Sequence, residues 1–195
     1  MARQRNICII NGHPDPAPQH LCAALAKAYQ EGAEAAGHAT RRIDVGALDF
    51  PLLRRPQDFA AGEVPAPITA AQEDILWADH VVLVYPLWLG MLPAVLKGFL
   101  EQIYRNEFAM KVGPTGWTAK LTGRSARVVV TMAMPGLFYR LWFGAHSLKA
   151  LRANILGFAG MRPVRSTVIG LAAAGKASNS EKWTKRMRAL GRSAR

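Results

Sequence analysis

Cysteine is nearly missing from this chain: Cys8 and Cys22 are its two cysteines in 195 residues. They form neither a CxxC pair nor a zinc-type spacing, which excludes a disulfide framework and a thiolate metal centre. Both read as small buried hydrophobes. Acidic residues are scarce too, 13 against 25 basic ones, for a net charge of +12. Such a surplus points to nucleic acid, an anionic membrane surface or phosphorylated ligands. The basic residues are scattered, however, except in the tail KWTKRMRALGRSAR. No helix-turn-helix, RNP or zinc pattern occurs, so nucleic acid is not an expected partner. No apolar run approaches the roughly 20 residues of a membrane span. The segment MARQRNICIING has too short an apolar stretch for a secretory signal, and the expectation is a soluble, cytoplasmic protein. GxGxxG and GxxxxGK[ST] are both absent, which removes the standard dinucleotide and nucleoside-triphosphate loops. There is no internal repeat.

Half of the residues are hydrophobic and 19% are charged, the balance of a globular chain. The length suits one domain, residues 1–195. Short β-branched runs alternate with helical patterns, the signature of a parallel α/β sheet. NICIIN (6–11), HATRRIDV (38–45), HVVLVY (80–85), ARVVVTM (126–132) and PVRSTVI (163–169) are the expected strands. Helices are expected over 19–36, from Thr69 to Trp77, from Pro93, over 144–159 and over 180–190. Residues 46–68, with Pro51, Pro56, Pro65 and Pro67, read as a wandering loop. Five strands joined by crossover helices on both faces make a doubly wound sheet, with order 2-1-3-4-5 as the natural arrangement. A ligand then sits beyond the carboxyl ends of the strands, at the switch point between strands one and three.

Three loops meet there. NGHPDPAPQHL delivers the chain to a helix N-terminus, where free N–H groups and the helix dipole favour phosphate. His13 and His20 flank that position, either as phosphate donors or as structural turn residues. YPLWLGML presents Pro86, Leu87, Trp88, Leu89 and Gly90, apolar walls and backbone groups suited to a flat electron-accepting ring, or else an ordinary strand-to-helix connection. TMAMPGLFYRLWFGAH combines Thr131, Tyr139 and His146 with Phe138, Trp142 and Phe143. Those aromatics either stack on a planar substrate or belong to core or to a subunit interface.

Together these motifs resemble the NAD(P)H:quinone oxidoreductase family, flavodoxin-fold flavoenzymes of the mammalian quinone reductase and bacterial modulator-of-drug-activity type. The likeness runs through GHPDPAPQHLCAAL, AAQEDILWADHVVLVYPLWLGMLPAVLKGFLEQIY, RSARVVVTMAMP and ILGFAGM, in that order. The resemblance implies a flavodoxin-like fold, a tightly bound flavin and two-electron, ping-pong hydride transfer from NAD(P)H to a quinone or other small aromatic acceptor. It implies His13, Pro18, Gln19, His20, Leu21 and Gln72 around the flavin phosphates, Pro86–Gly90 against the ring, and Thr131, Met132, Ala133 and Met134 on its other side. Tyr139 and His146 would be the hydride-transfer pair, and Glu101 and Lys176, with His20, favour FAD over FMN. A homodimer completing the site is implied as well. The chain departs from the family where Pro18 replaces a usual Ser, where His20 replaces an Asn, and where Thr-Met-Ala-Met replaces Thr-Thr-Gly-Gly. Tyr139 and His146 are also one residue further apart than in relatives. Alternative readings are a regulatory flavoprotein subunit of a potassium-efflux-type transporter and a flavodoxin-like electron carrier, though such carriers are generally acidic. The WTKRMRAL helix could also rest on an anionic membrane, near dissolved quinones.

Overall fold

A computed structural model describes residues 3–105, 107–114, 116–172 and 177–195. Strands β1 (Asn6–Asn11), β2 (Ala39–Asp44), β3 (His80–Pro86), β6 (Ser125–Thr131) and β7 (Val164–Ile169) form one parallel sheet in the order β2-β1-β3-β6-β7. Renumbered without the short hairpin between β3 and β6, this is the expected 2-1-3-4-5. The hairpin itself, β4 (Met110–Gly113) with β5 (Gly116–Ala119), is an unexpected two-stranded sheet.

The buried strands carry their side chains alternately to two apolar layers, as the two-residue period of a strand requires. Ile7, Ile9, Val82, Val84 and Val129 face α1 (Leu21–Glu34) and α7 (Ala177–Arg192). Cys8, Ile10, Val81, Leu83, Tyr85 and Val128 face the other layer. There lie α3 (Ala66–Trp77), α4 (Ala94–Tyr104) and a helix that runs from α6 (His146–Ala150) into a π-helical stretch, Leu151–Gly157. The short helices α2 (Pro56–Ala61) and α5 (Gly136–Leu141) complete the set.

Three expectations need correction. The 46–68 loop contains α2 and the start of α3, because Pro56 and Pro67 sit in first helical turns, where a missing N–H costs nothing. Thr69 therefore lies inside α3 rather than capping it, and its hydroxyl meets the Pro65 carbonyl at 3.5 Å. The 144–159 helix starts at His146 and switches to π geometry after Ala150.

Helix α7 packs closely on α1. A Cβ on Gly32 would lie 2.1 Å from the Arg188 carbonyl oxygen, and one on Gly191 would lie 2.1 Å from that of Tyr29. Met187 is fully buried and Trp183 and Leu190 pack beside it, so the apolar side of this basic helix is spent on the protein's own core. Among the described residues no helix is long and apolar enough to cross a membrane.

Candidate functional site

The parallel strands all end at one edge, and the loops after β1, β3 and β6 rise from it together. Gly12 N–H donates to the Val84 carbonyl (2.7 Å) and Leu87 N–H to that of Thr131 (2.7 Å), tying each loop's first residue to the next strand. The β1 loop continues through an aspartate-centred turn. Asp15 Oδ1 accepts from Ala17 N–H (2.9 Å), Asp15 N–H donates to His13 Nδ1 (3.1 Å), and Asp15 Oδ2 meets His20 Nε2 at 2.7 Å. The His13 and His20 rings consequently stack, 4.0 Å between centroids and 18° between planes. Trp88 meets His13 edge-on at 6.1 Å. His20 bound to Asp15 holds that carboxyl below the usual carboxylate range, whereas partial burial lowers the His13 pKa from its ordinary value.

His20 is also the N-cap of α1, and it makes no side-chain capping bond. The first-turn amides of Leu21, Cys22 and Ala23 thus point out of the helix beside the two imidazoles. Gly46, just after β2, presses this loop from below; a Cβ there would lie 2.1 Å from the Pro14 carbonyl oxygen and 2.8 Å from that of His13. Composition gave no hint of that role.

The β3 loop is a miniature hairpin. Trp88 and Met91 exchange both backbone hydrogen bonds at 2.9 Å, and Leu89 (φ 49°) and Gly90 (φ 78°) form its tip. Two central residues with positive φ are the mark of a type I′ turn. Leu89 is fully exposed there, and Trp88 and Met91 are half-exposed. The Leu87 and Trp88 N–H groups are occupied by the Thr131 and Met91 carbonyls, so only the tip amides remain for a ligand. A leucine in this conformation costs about 1 kcal/mol. Leu89→Asn is expected to raise stability by up to that amount in urea titrations, since asparagine tolerates the left-handed region.

Thr131 and Met132 are buried, the Thr131 hydroxyl lying 3.4 Å from Cys22 Sγ, while Met134 is half-buried and Ala133 is open to solvent. Beyond them Phe138 stacks on Trp142 (5.9 Å, 11°) and meets Phe143 edge-on (5.5 Å), all three largely exposed.

His13, His20, Leu21, Trp88 and the Thr131–Met134 segment are brought to one rim, with Pro18 and Gln19 exposed on the same loop. Other expected site residues stand apart. Gln72 donates to the Ile103 carbonyl (2.8 Å), satisfying an open group at the end of α4. Glu101 pairs with Lys97 on the surface of α4, roughly 10 Å along the helix from its first residue. Tyr139 is 2% exposed, with its hydroxyl 2.9 Å from Ser147 Oγ, whereas His146 faces solvent, so the two do not form a pair. Lys176 lies outside the described residues.

A model of the flavodoxin-like fold matches residues 5–191. Over 153 residues the chain is 28% identical to a ribosyldihydronicotinamide dehydrogenase-like protein of Penicillium crustosum, covering 65% of this chain and 57% of that one. Over 135 residues it is 27% identical to an FMN-dependent NADH:quinone oxidoreductase of Streptococcus suis, covering 61% and 66%. It thus spans less than two thirds of the length of these curated relatives. An NAD(P)H:quinone oxidoreductase from Methanothermobacter marburgensis superimposes with a TM-score of 0.80 at 20% identity, covering 97% of this chain and 96% of that one. The doubly wound sheet, its order and the match across residues 5–191 lead to one conclusion: the chain belongs to the flavodoxin-like fold family.

Proposed function

We propose that this protein is a flavin-dependent oxidoreductase that passes a hydride from NAD(P)H to a quinone or other small aromatic acceptor. The observation that carries the reading is the meeting of an open helix N-terminus, a stacked histidine pair and the exposed Trp88 hairpin at the switch point of the sheet. That set fits a phosphorylated, planar cofactor. Amides of Leu21–Ala23 with His13 and His20 hold the phosphate, and Trp88 with the Thr131–Met134 segment flanks the ring. When bound, the flavin supplies reversible storage of two electrons.

The chain's own residues fix that cofactor and shield it. Asp15 orients both imidazoles, and the Leu89–Gly90 amides face the ring edge. The Phe138–Trp142–Phe143 group supplies a flat apolar surface on which nicotinamide and acceptor stack in turn, as a ping-pong sequence needs. Tyr139, held by Ser147, positions α5, and His146 is the nearby imidazole open to solvent for proton delivery. The cofactor is FMN in this proposal: the Streptococcus suis relative is named FMN-dependent, and Glu101, committed to Lys97, offers nothing to an adenosine half. The exposed Leu89, Met91, Leu141 and Trp142 side chains support a homodimer that covers the site. A net charge of +12 argues against a flavodoxin-like electron carrier, and cytoplasmic location goes with the NAD(P)H supply.

The test is an absorption spectrum of purified protein before and after incubation with FMN and with FAD, followed by anaerobic NADH or NADPH. Bands near about 370 and 450 nm that bleach on reductant are the expected result. Protein that stays colourless after both incubations would sink the proposal.

A further inference from the structure

The opposite edge of the sheet, where the strands begin, holds a feature the oxidoreductase reading does not use. A cavity of about 480 Å³ opens there, and Arg3, Arg5, Arg162, Arg165 and Arg195 all line it. The topology explains the convergence. Arg3 and Arg5 lead into β1, Arg162 and Arg165 lie at the start of β7, and Arg195 follows α7, whose end folds back over the same edge.

Some arginines near this edge have structural work. Arg124 donates to the Ile75, Leu76 and Thr122 carbonyls, and buried Arg127 donates to Thr167 Oγ1 (2.9 Å) and to the Arg195 carbonyl. Among the described residues, the Arg5 side chain reaches only the Ala194 carbonyl, at 3.4 Å. Among the described residues, the side chains of Arg3, Arg162, Arg165 and Arg195 make neither a hydrogen bond nor an ion pair. Among the described residues, Asp79 is the acidic side chain in the lining, and it accepts from Asn6 N–H (2.9 Å). The wall between the arginines is firm. His38, 5% exposed, accepts from Arg5 N–H at Nδ1 (3.2 Å) and lies 3.3 Å from the Arg192 carbonyl at Nε2.

Five guanidinium groups gathered around one aspartate repel one another, and their planar forks match phosphate oxygens two by two. A bounded cavity of this size suits a compact ligand with several negative charges, whereas a nucleic-acid backbone needs an extended basic track. We infer that the strand-start cavity is a binding site for a small polyphosphate, a ligand carrying a pyrophosphate group, held by Arg3, Arg5, Arg162, Arg165 and Arg195. A ligand held there joins the start of β1, the start of β7 and the end of α7, and so stabilises the folded chain by mass action. This inference does not depend on the flavin.

The test is calorimetric titration of the full chain, saturated with FMN where FMN binds, with inorganic pyrophosphate at ionic strength held constant with potassium chloride. Saturable binding is expected, weakened at least tenfold by the double change Arg162→Gln/Arg165→Gln. The control Lys27→Gln/Lys185→Gln removes the same charge elsewhere and is expected to leave the affinity unchanged. Flavin absorption should be the same in all three proteins, which separates this outcome from the oxidoreductase proposal. No heat beyond the chloride control, equal affinity in the Arg162→Gln/Arg165→Gln protein, or equal weakening by the lysine control would overturn the inference. Tighter binding of duplex DNA through the same arginines would also overturn it, in favour of a nucleic-acid surface.

Discussion

Gly46→Ala is expected to weaken flavin binding by at least a factor of ten while leaving the chain folded. The glycine touches no ligand in the proposed site; it acts through the loop above it. Its added Cβ would stand 2.1 Å from the Pro14 carbonyl oxygen and 2.8 Å from that of His13, and both are backbone atoms that no rotamer change can move. The His13–Pro14 segment must lift instead. The Asp15 turn, the stacked imidazoles and the approach to the first turn of α1, which shape the proposed phosphate position, hang from that segment. A tenfold loss of affinity is about 1.4 kcal/mol. Overpacking against backbone costs about 1–3 kcal/mol of stability, within the margin of an ordinary domain. Flavin affinity by fluorescence quenching and stability by urea titration separate the two effects. In the double change His20→Ala/Gly46→Ala the losses should add to less than their sum, because both remove the same phosphate contact. Full additivity would mean that Gly46 acts elsewhere.

The gathering of three loops at one sheet edge was legible in outline, and the reasons differ residue by residue. NICIIN, HVVLVY and ARVVVTM are continuous apolar runs because their strands are covered on both faces, so the strands followed from pattern, and the sheet order from the connection rules of a doubly wound fold. The β4–β5 hairpin escaped that reading, since MKVGPTGWTA carries too few apolar positions to show an alternation. Its Trp117 is held instead by distant Phe158, 4.0 Å between centroids. His13, His20 and Trp88 lie together, as their places in the loops suggested. Asp15, which fixes both imidazoles, and Gly46, which supports them, depend on contacts across the fold that spacing does not encode. Gln72 and Glu101 stand apart from the rim for a related reason. Both sit on helices that leave the binding edge at 1.5 Å per residue, and each has a nearer partner, the Ile103 carbonyl and Lys97. Tyr139 shares its loop with exposed aromatics but turns inward, where Ser147 satisfies its hydroxyl.

His80 gives the second large effect, and nothing in the strand HVVLVY marks it as more than a polar first residue. It is fully buried at the start of the central strand, paired in register with Ile7 on one side and Ser125 on the other. Its Nδ1 lies 2.8 Å from Ser125 Oγ, its ring lies nearly parallel to that of Tyr29 (6.3 Å, 24°), and its Nε2 has no partner among the described residues. Burial, then the positive charges of Arg127, Arg5 and Arg165, push its pKa down to about 3; the Ser125 bond opposes this only weakly. In the unfolded chain the same imidazole titrates near 6.5. Between these values the unfolded state binds one proton more than the folded state, so stability present above pH 6.5 is lost as the pH falls toward 3. From pH 6.5 to pH 4 this single group removes roughly 3 kcal/mol, at 1.36 kcal/mol per pH unit. His80→Phe keeps a ring beside Tyr29 and removes both the titration and the unpartnered nitrogen. Urea titrations at pH 7, 6, 5 and 4 should show the variant gaining on the natural protein at each step below 6.5, because the carboxylates titrate alike in both. A stability difference that stays constant from pH 7 to pH 4 would show that the buried imidazole takes up its proton without unfolding, and that the arginines at this edge do not reach it.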